Sequence, residues 1–412
     1  MTRSALVAGV CLGLHASLAG MAAHADNPVF QDFFFNVCNS PTGALAARCA
    51  ETPAAAGDLS GNSESSLNPS QALSSTDGAL AEARARSKEA RERVERYRGD
   101  DEGAGSRVSL GPLSLLLNGR WEWEERDREI DVDAERGFDA DRRAIEVGLD
   151  RRFSDSFVVG LLYAYEDGDL EFDADAAGVS FTPASSAGSI DREAHTVTLF
   201  GMVWLSEQAY LEANAGYSAS DYTFTRNAVF QESTRNVPQT DVRTRAATDG
   251  DQLWLGVTAG YEWNAGPASY GLYVGGTYAQ SRVDGYRELD PGNSGLALVV
   301  DDIERDAVTG HLGLRAQRAI GASFGVWLPH LRLEYEHAGG TEESEATVQF
   351  ALDGNANEFE LTGEDSDDYF NVAVGVAAIF PNGWISFLDV EGLVGARDRE
   401  QYRITAGLRK EL

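Results

Sequence analysis

A few short patterns in this 412-residue chain contain residue types able to do chemistry. Gly321-Ala322-Ser323-Phe324-Gly325 spells G-x-S-x-G, the elbow that exposes a serine nucleophile, but the elbow needs a strand-to-helix turn. Apolar/polar alternation flanks the pentapeptide on both sides, so it is expected to be a strand-to-strand turn. Asp131-Val132-Asp133-Ala134-Glu135-Arg136-Gly137 hints at a calcium loop, yet the sixth place is not glycine and the twelfth is Arg142. A solvated loop is expected there. Arg98-Gly99-Asp100 matches an adhesion tripeptide by chance. His195, His311, His330 and His337 have no obvious serine or aspartate partner, and no His-x-Ser signature occurs. No nucleophile, base and orienter come together. The expectation is a protein that is not an enzyme, with no cofactor and no metal.

The elements that carry these residues are strands. From about residue 110 onward the sequence alternates with period two, as in Leu253, Leu255, Val257, Ala259, Tyr261 and Trp263 against Gln252, Gly256, Thr258 and Glu262. Twelve strands are predicted, at 110–124, 143–153, 157–169, 193–205, 209–226, 250–263, 270–284, 305–319, 326–338, 367–380, 384–393 and 400–412. Their connections alternate between short turns, such as 154–156 and 381–383, and long acidic loops, such as 339–366. Outer-membrane barrels have this asymmetry, with tight turns at one rim and long loops at the other. Soluble sandwiches have no reason for it. Trp121, Trp123, Tyr163, Tyr165, Tyr261, Trp263 and Trp384 near strand ends fit interfacial aromatic girdles. The fold class is therefore an all-β transmembrane protein, a twelve-strand antiparallel outer-membrane β-barrel.

Charge and export signals agree. With 66 acids, 34 Lys and Arg and a net charge of −32, the chain is no nucleic-acid binder. Arg3, an apolar run over 5–18 and the small residues at 23 and 25 predict a signal peptide (1–25) cut between Ala25 and Asp26. Cys38 and Cys49 are then the last cysteines, and in an oxidising compartment they are expected to pair. Without nearby histidines they would make a poor metal site.

One helix precedes the strands. Residues 76–99 are rich in Ala, Arg, Glu and Lys. Seven bases, among them Arg84, Arg86, Lys88, Arg91, Arg93 and Arg96, accompany four glutamates, and the apolar stripe at 80, 83, 87, 90, 94 and 97 is thin. The inward face of the strands offers the opposite sign: Glu122, Glu124, Glu146, Asp150, Glu166, Glu212, Glu262, Glu334, Glu336, Asp389 and Glu391, against Arg120, Arg315, Arg332, Arg403 and Arg409. A charged α-helix in the lumen of the barrel is expected. The rival, an exposed helix or short coiled coil, has only about two and a half heptads of stripe. The domain plan is 26–75 as a short passenger or plug segment closed by the disulfide, 76–99 as the luminal helix and 106–412 as the barrel. Within 26–75, "GDLSGNSESSLNPSQ" is expected to be loop or linker.

The C-terminal region resembles a known family. "WLPHLRLEYEHAGG" is similar to the Trp/Pro strand of autotransporter (type V secretion) β-barrel translocators of Gram-negative bacteria, and "DDYFNVAVGVAAIFPNGWISFLDVEGLVGARDREQYRITAGLRKEL" to their final three strands. The resemblance implies a translocator or anchor for a secreted passenger, with outer-membrane lipids and lipopolysaccharide, the barrel-assembly machinery and periplasmic chaperones as partners, acting as a monomer. Two features depart from the family. Only 26–75 is left for a passenger, and the last residue is Leu412 in place of Phe or Trp. The Asn pair that some members use for self-cleavage is absent from the helix. A plugged porin-like channel for small solutes is the alternative.

Overall fold

The computed structural model describes residues 28–103, 113–127, 136–178, 181–232, 238–340, 344–363, 366–396 and 399–412, with side chains of the helix described as far as Glu92. Ala25 and Asp26, and the side chains of Arg93 and Arg96, lie outside that set, as does Asp131–Glu135 of the calcium-loop pattern.

All twelve strands form: β1 (Leu113–Arg126), β2 (Phe138–Ser154), β3 (Phe157–Phe172), β4 (Gly188–Trp204), β5 (Ala209–Phe230), β6 (Thr240–Ala265), β7 (Ala268–Val283), β8 (Ile303–Arg318), β9 (Gly325–Gly340), β10 (Ser366–Ile379), β11 (Trp384–Val394) and β12 (Arg399–Glu411). Each pairs antiparallel with its neighbours, and β1 pairs with both β2 and β12: Trp121 lies opposite Arg143 on one side and Ile404 on the other. The sheet is closed and has no free edge. The Gly321–Gly325 pentapeptide lies in the strand-to-strand turn between β8 and β9, so it forms no nucleophile elbow.

Period-two alternation puts apolar side chains outward. Leu253, Leu255 and Val257 are 50, 54 and 45 % exposed, in a band bounded by Trp263, Tyr270, Trp327 and Trp384 at the short-turn rim. Only a lipid environment makes that exposure favourable. No described helix is long and apolar enough to cross a membrane. The strands do the crossing.

β5 and β6 are 22 and 26 residues long, against the ~9–11 that a tilted span needs. Above Leu253 the outward residues of β6 become polar (Asp251, Asp249, Arg245, Arg243), while Val242, Thr244 and Ala246 stay buried. This upper wall stands in water outside and packs inside. β6 thus begins ten residues before the expected 250, because a strand with a wet outer face lacks the apolar signature of a lipid-facing one.

The wall surrounds a cap. α1 (Pro28–Val37), α2 (Gly43–Glu51) and α3 (Gly61–Leu67) precede the long helix α4 (Ser74–Gly103). The Ser/Asn-rich stretch expected to be linker is α3 plus a single 3-10 turn at Ser70–Ala72, a correction. Its hydroxyls explain it. Ser63 and Ser66 turn from solvent to the barrel: the Val229 amide donates to Ser66 Oγ (2.8 Å), the Gln231 amide to Ser63 Oγ (2.9 Å), and the Ser60 amide donates to the Glu232 carboxylate (3.1 Å). Burial pushes the Glu232 carboxyl up, and the Ser60 and Ser63 hydrogen bonds partly restore it. The largest apolar cluster lies here, where Phe30, Phe33, Phe34, Val37 and Leu45 meet Phe138, Phe172, Leu298, Phe350 and Phe359 of the strand tops and long loops.

Cys38 and Cys49 are disulfide-bonded, tying the end of α1 to α2. Closing a loop this small stabilises by about 3 kcal/mol in the chain-entropy account. Cys38→Ser is therefore expected to speed proteolysis of the cap while leaving the barrel heat-modifiable on gels. Mass spectrometry of the unreduced wild-type chain should find one cross-linked peptide, and two free thiols would refute the pairing.

Candidate functional site

α4 lies inside the barrel, entering at the long-loop end and running to the short-turn end, where β1 begins. Its 30 residues reach about 45 Å at 1.5 Å per residue. Asp77 in its first turn meets Arg305, and Arg126 at 3.6 Å, with a carboxylate at the positive end of the helix dipole.

The helix has two faces. The thin stripe that suggested a coiled coil is a wall contact: Leu80 and Ala83 pack on Trp254 and Ala279, and Ser87 Oγ lies 3.0 Å from Thr277 Oγ1. The approach is close because Gly256 sits opposite, where a Cβ would collide with the Ser87 hydroxyl. α4 is thus pressed against β5–β7, and its long side chains cross the lumen toward the other strands. Ser87→Leu removes that approach, and overpacking of this kind costs about 1–3 kcal/mol. The expected result is a helix that becomes cleavable by a protease supplied at the short-turn side of the purified barrel. An unchanged cleavage rate would show that the contact is not limiting.

Across the lumen the charges interlock. Arg86 Nε lies 2.5 Å from Glu166 Oε1 and 3.7 Å, through Nη1, from Glu146. Lys88 Nζ reaches Glu391 (2.8 Å) and Glu334 (3.2 Å), and Arg91 Nη2 reaches Glu334 (2.5 Å). The acids of the helix are used as well. Glu82 accepts from Arg120 (2.5 Å), Glu89 takes Arg86 (2.6 Å), and Glu92 meets Arg332, which also meets Glu391. Arg403 joins Glu122 (2.7 Å) to Glu391 (3.4 Å). All of these groups are buried or nearly so, shielded from salt and water, so each charge depends on its partner.

Glu122, Glu146, Asp150, Glu334, Asp389 and Glu391 are turned away from the outer face, with partners on both the helix and the wall. Asp150 accepts from Ser114 (2.5 Å), and Asp389 meets His330. Arg84 donates to Leu80 O and Tyr369 Oη, both 3.3 Å. Among the wall arginines missed are Arg142, 2.6 Å from Glu124 and 3.0 Å from Glu122, and Arg192, 3.7 Å from Glu166. Both lie one residue outside the predicted starts of β2 and β4, so a small error in strand onset hid two charges. The histidines also need correction. His330 faces Asp389, and His337 Nδ1 lies 2.8 Å from Asp368 on the outer face. These partners are cross-strand neighbours, invisible in linear order. His311 Nε2 lies 2.7 Å from Arg91 Nη1 and 3.1 Å from Thr258 Oγ1. No group of three or more His, Cys, Asp or Glu placed to hold a metal occurs among the described residues.

Similarity to known proteins follows the same architecture. The family described as Autotransporter beta-domain matches residues 124–391. The translocator domain of autotransporter NalP from Neisseria meningitidis is similar over 79 % of this chain and 97 % of that one, at 10 % identity and a TM-score of 0.55. The beta domain of the Bordetella autotransporter BrkA aligns with 73 % of this chain and 100 % of that one, at 17 % identity and a TM-score of 0.47. No curated protein matches the sequence.

Proposed function

Because the chain belongs to the autotransporter β-domain family, we propose that it carries its own short N-terminal segment across the outer membrane and holds it there as a cap, without enzymatic activity. The barrel is the translocator β-domain, and its fold implies the outer membrane. In such barrels the short turns face the periplasm and the long loops face outward. One observation carries the reading: residues 28–73 sit at the long-loop end, and α4 returns from them through the lumen to the start of β1. A chain exported through a signal peptide cut after Ala25 can reach this arrangement only if the segment has crossed. Passenger and plug are then one object. Around the apolar band the partners are outer-membrane lipids and lipopolysaccharide, and the barrel-assembly machinery and periplasmic chaperones deliver a monomer.

The test is an epitope inserted in the turn at Ala54 and Ala55, both exposed. Antibody should stain intact cells. Staining that appears only after the outer membrane is permeabilised would overturn the proposal.

A further inference from the structure

The cap is attached in two ways: by one covalent link, Leu73 to Ser74, and by the seat beneath it. α1 presents Phe30, Phe33, Phe34 and Val37, none more than 6 % exposed. Their aromatic partners come from the loop between β9 and β10. Phe30 and Phe33 lie 5.3 and 5.2 Å from Phe359, and Phe33 and Phe34 lie 5.7 and 5.4 Å from Phe350, ring centre to ring centre. Backbone bonds zip the same loop to the turn after α1: the Thr42 amide donates to Leu352 O and the Gly354 amide to Ser40 O, both 2.9 Å. A second loop contributes Gly295, with φ +86°, so close to Ala44 and Leu45 that a Cβ there would strike their backbone. A third contact comes from Phe230 and Thr240, on which Arg48 stacks and bonds. Cys38–Cys49 closes α1 and α2 into a hairpin and presets its shape. Loops from three strand pairs converge on one disulfide-closed hairpin. None of these contacts runs through α4.

We propose that the long loops form a peptide-binding cup whose ligand is the disulfide-closed aromatic hairpin 28–52, and that the cup holds this hairpin without the covalent link. The proposal rests on the outward placement of the cap and goes beyond it. A passenger severed from its helix stays on the cell, and a matching oxidised hairpin arriving from outside competes for the seat.

The turn at Ala54 and Ala55 lies after both cysteines, so one cut there frees the hairpin with its disulfide intact. A site-specific protease sequence is inserted between these residues in the full chain, with an epitope at the mature N-terminus, and intact cells are treated and washed. Denaturing gels should show complete cutting while the epitope remains on the cells. Phe34→Ala in the hairpin, or Phe350→Ala in the cup, should release it about a hundredfold faster, with heat-modifiability confirming a folded barrel. After release, an added synthetic oxidised peptide covering 26–54 should rebind saturably. Prompt loss of the wild-type epitope to the medium on cutting, or release rates that Phe350→Ala does not change, would overturn the cup. A site that is cut only after permeabilisation would instead refute the outward placement.

Discussion

A barrel lacking residues 26–98 should carry a cation-selective current in planar bilayers that the intact protein does not. The helix fills the lumen with a cylinder about 10–12 Å across, and without it inward carboxylates such as Glu166, Glu334 and Glu391 lose their partners Arg86, Lys88 and Arg91. The same opening should follow from changing Arg86, Lys88 and Arg91 together to glutamate. Each substitution sets a new acid where a base now lies 2.5–3.2 Å from Glu166, Glu391 or Glu334. Removing one partner of a buried pair costs about 3–5 kcal/mol, and three such losses reach the about 5–15 kcal/mol that hold a whole domain together. Repulsion adds to that, so the helix should leave the lumen while the wall, whose backbone bonds are untouched, stays closed. Single-channel records decide it. Equal conductance for intact, truncated and reversed proteins would sink the luminal lock.

The second large effect belongs to the cap. Phe34→Asp should undock it and leave the barrel folded. Phe34 is fully buried against Phe350. Loss of the ring costs about 3–5 kcal/mol, and a buried carboxylate without a partner adds several more. A segment this short has too little core to remain folded once its seat is lost. Limited proteolysis in detergent should strip the variant back toward Ser74, with heat-modifiability unchanged. Phe35→Asp is the control, since its ring is already 45 % exposed and the cap should keep wild-type resistance. Indistinguishable cleavage of the Phe34 variant and wild type would mean that the aromatic seat does not hold the cap.

Much of this was legible because lipid imposes a simple rule. A strand facing hydrocarbon must alternate, so all twelve spans could be read, as could a helix too polar for any apolar interface. Where water lies on the outer face the rule lapses. The upper ten residues of β6 went unread for that reason, and Arg142 and Arg192 fell just outside strands that begin earlier than their apolar part. The interlocking of Glu82, Glu89 and Glu92 with the wall arginines Arg120 and Arg332 was hidden by treating the helix as a basic rod, since net charge says nothing about which side chains meet. The cap was least legible. Its core is shared between α1 and loops near the other end of the chain, and a Ser-rich helix that caps its hydrogen bonds on β5 looks like linker until β5 is beside it.

That shared core also sets an order in time. Thr42 and Leu352 bond across 310 residues of sequence, and Phe350 and Phe359, which seat the aromatic hairpin, lie in a loop bounded by β9 and β10. Residues synthesised well before the barrel are thus the last to acquire partners, because their seat exists only once the late strands have closed on β1. Contacts between such distant segments form slowly, so maturation should show two clocks. In pulse-labelled cells, heat-modifiability of the barrel should appear first and protease resistance of the cap afterwards. Cap resistance arising before barrel closure would reverse that order.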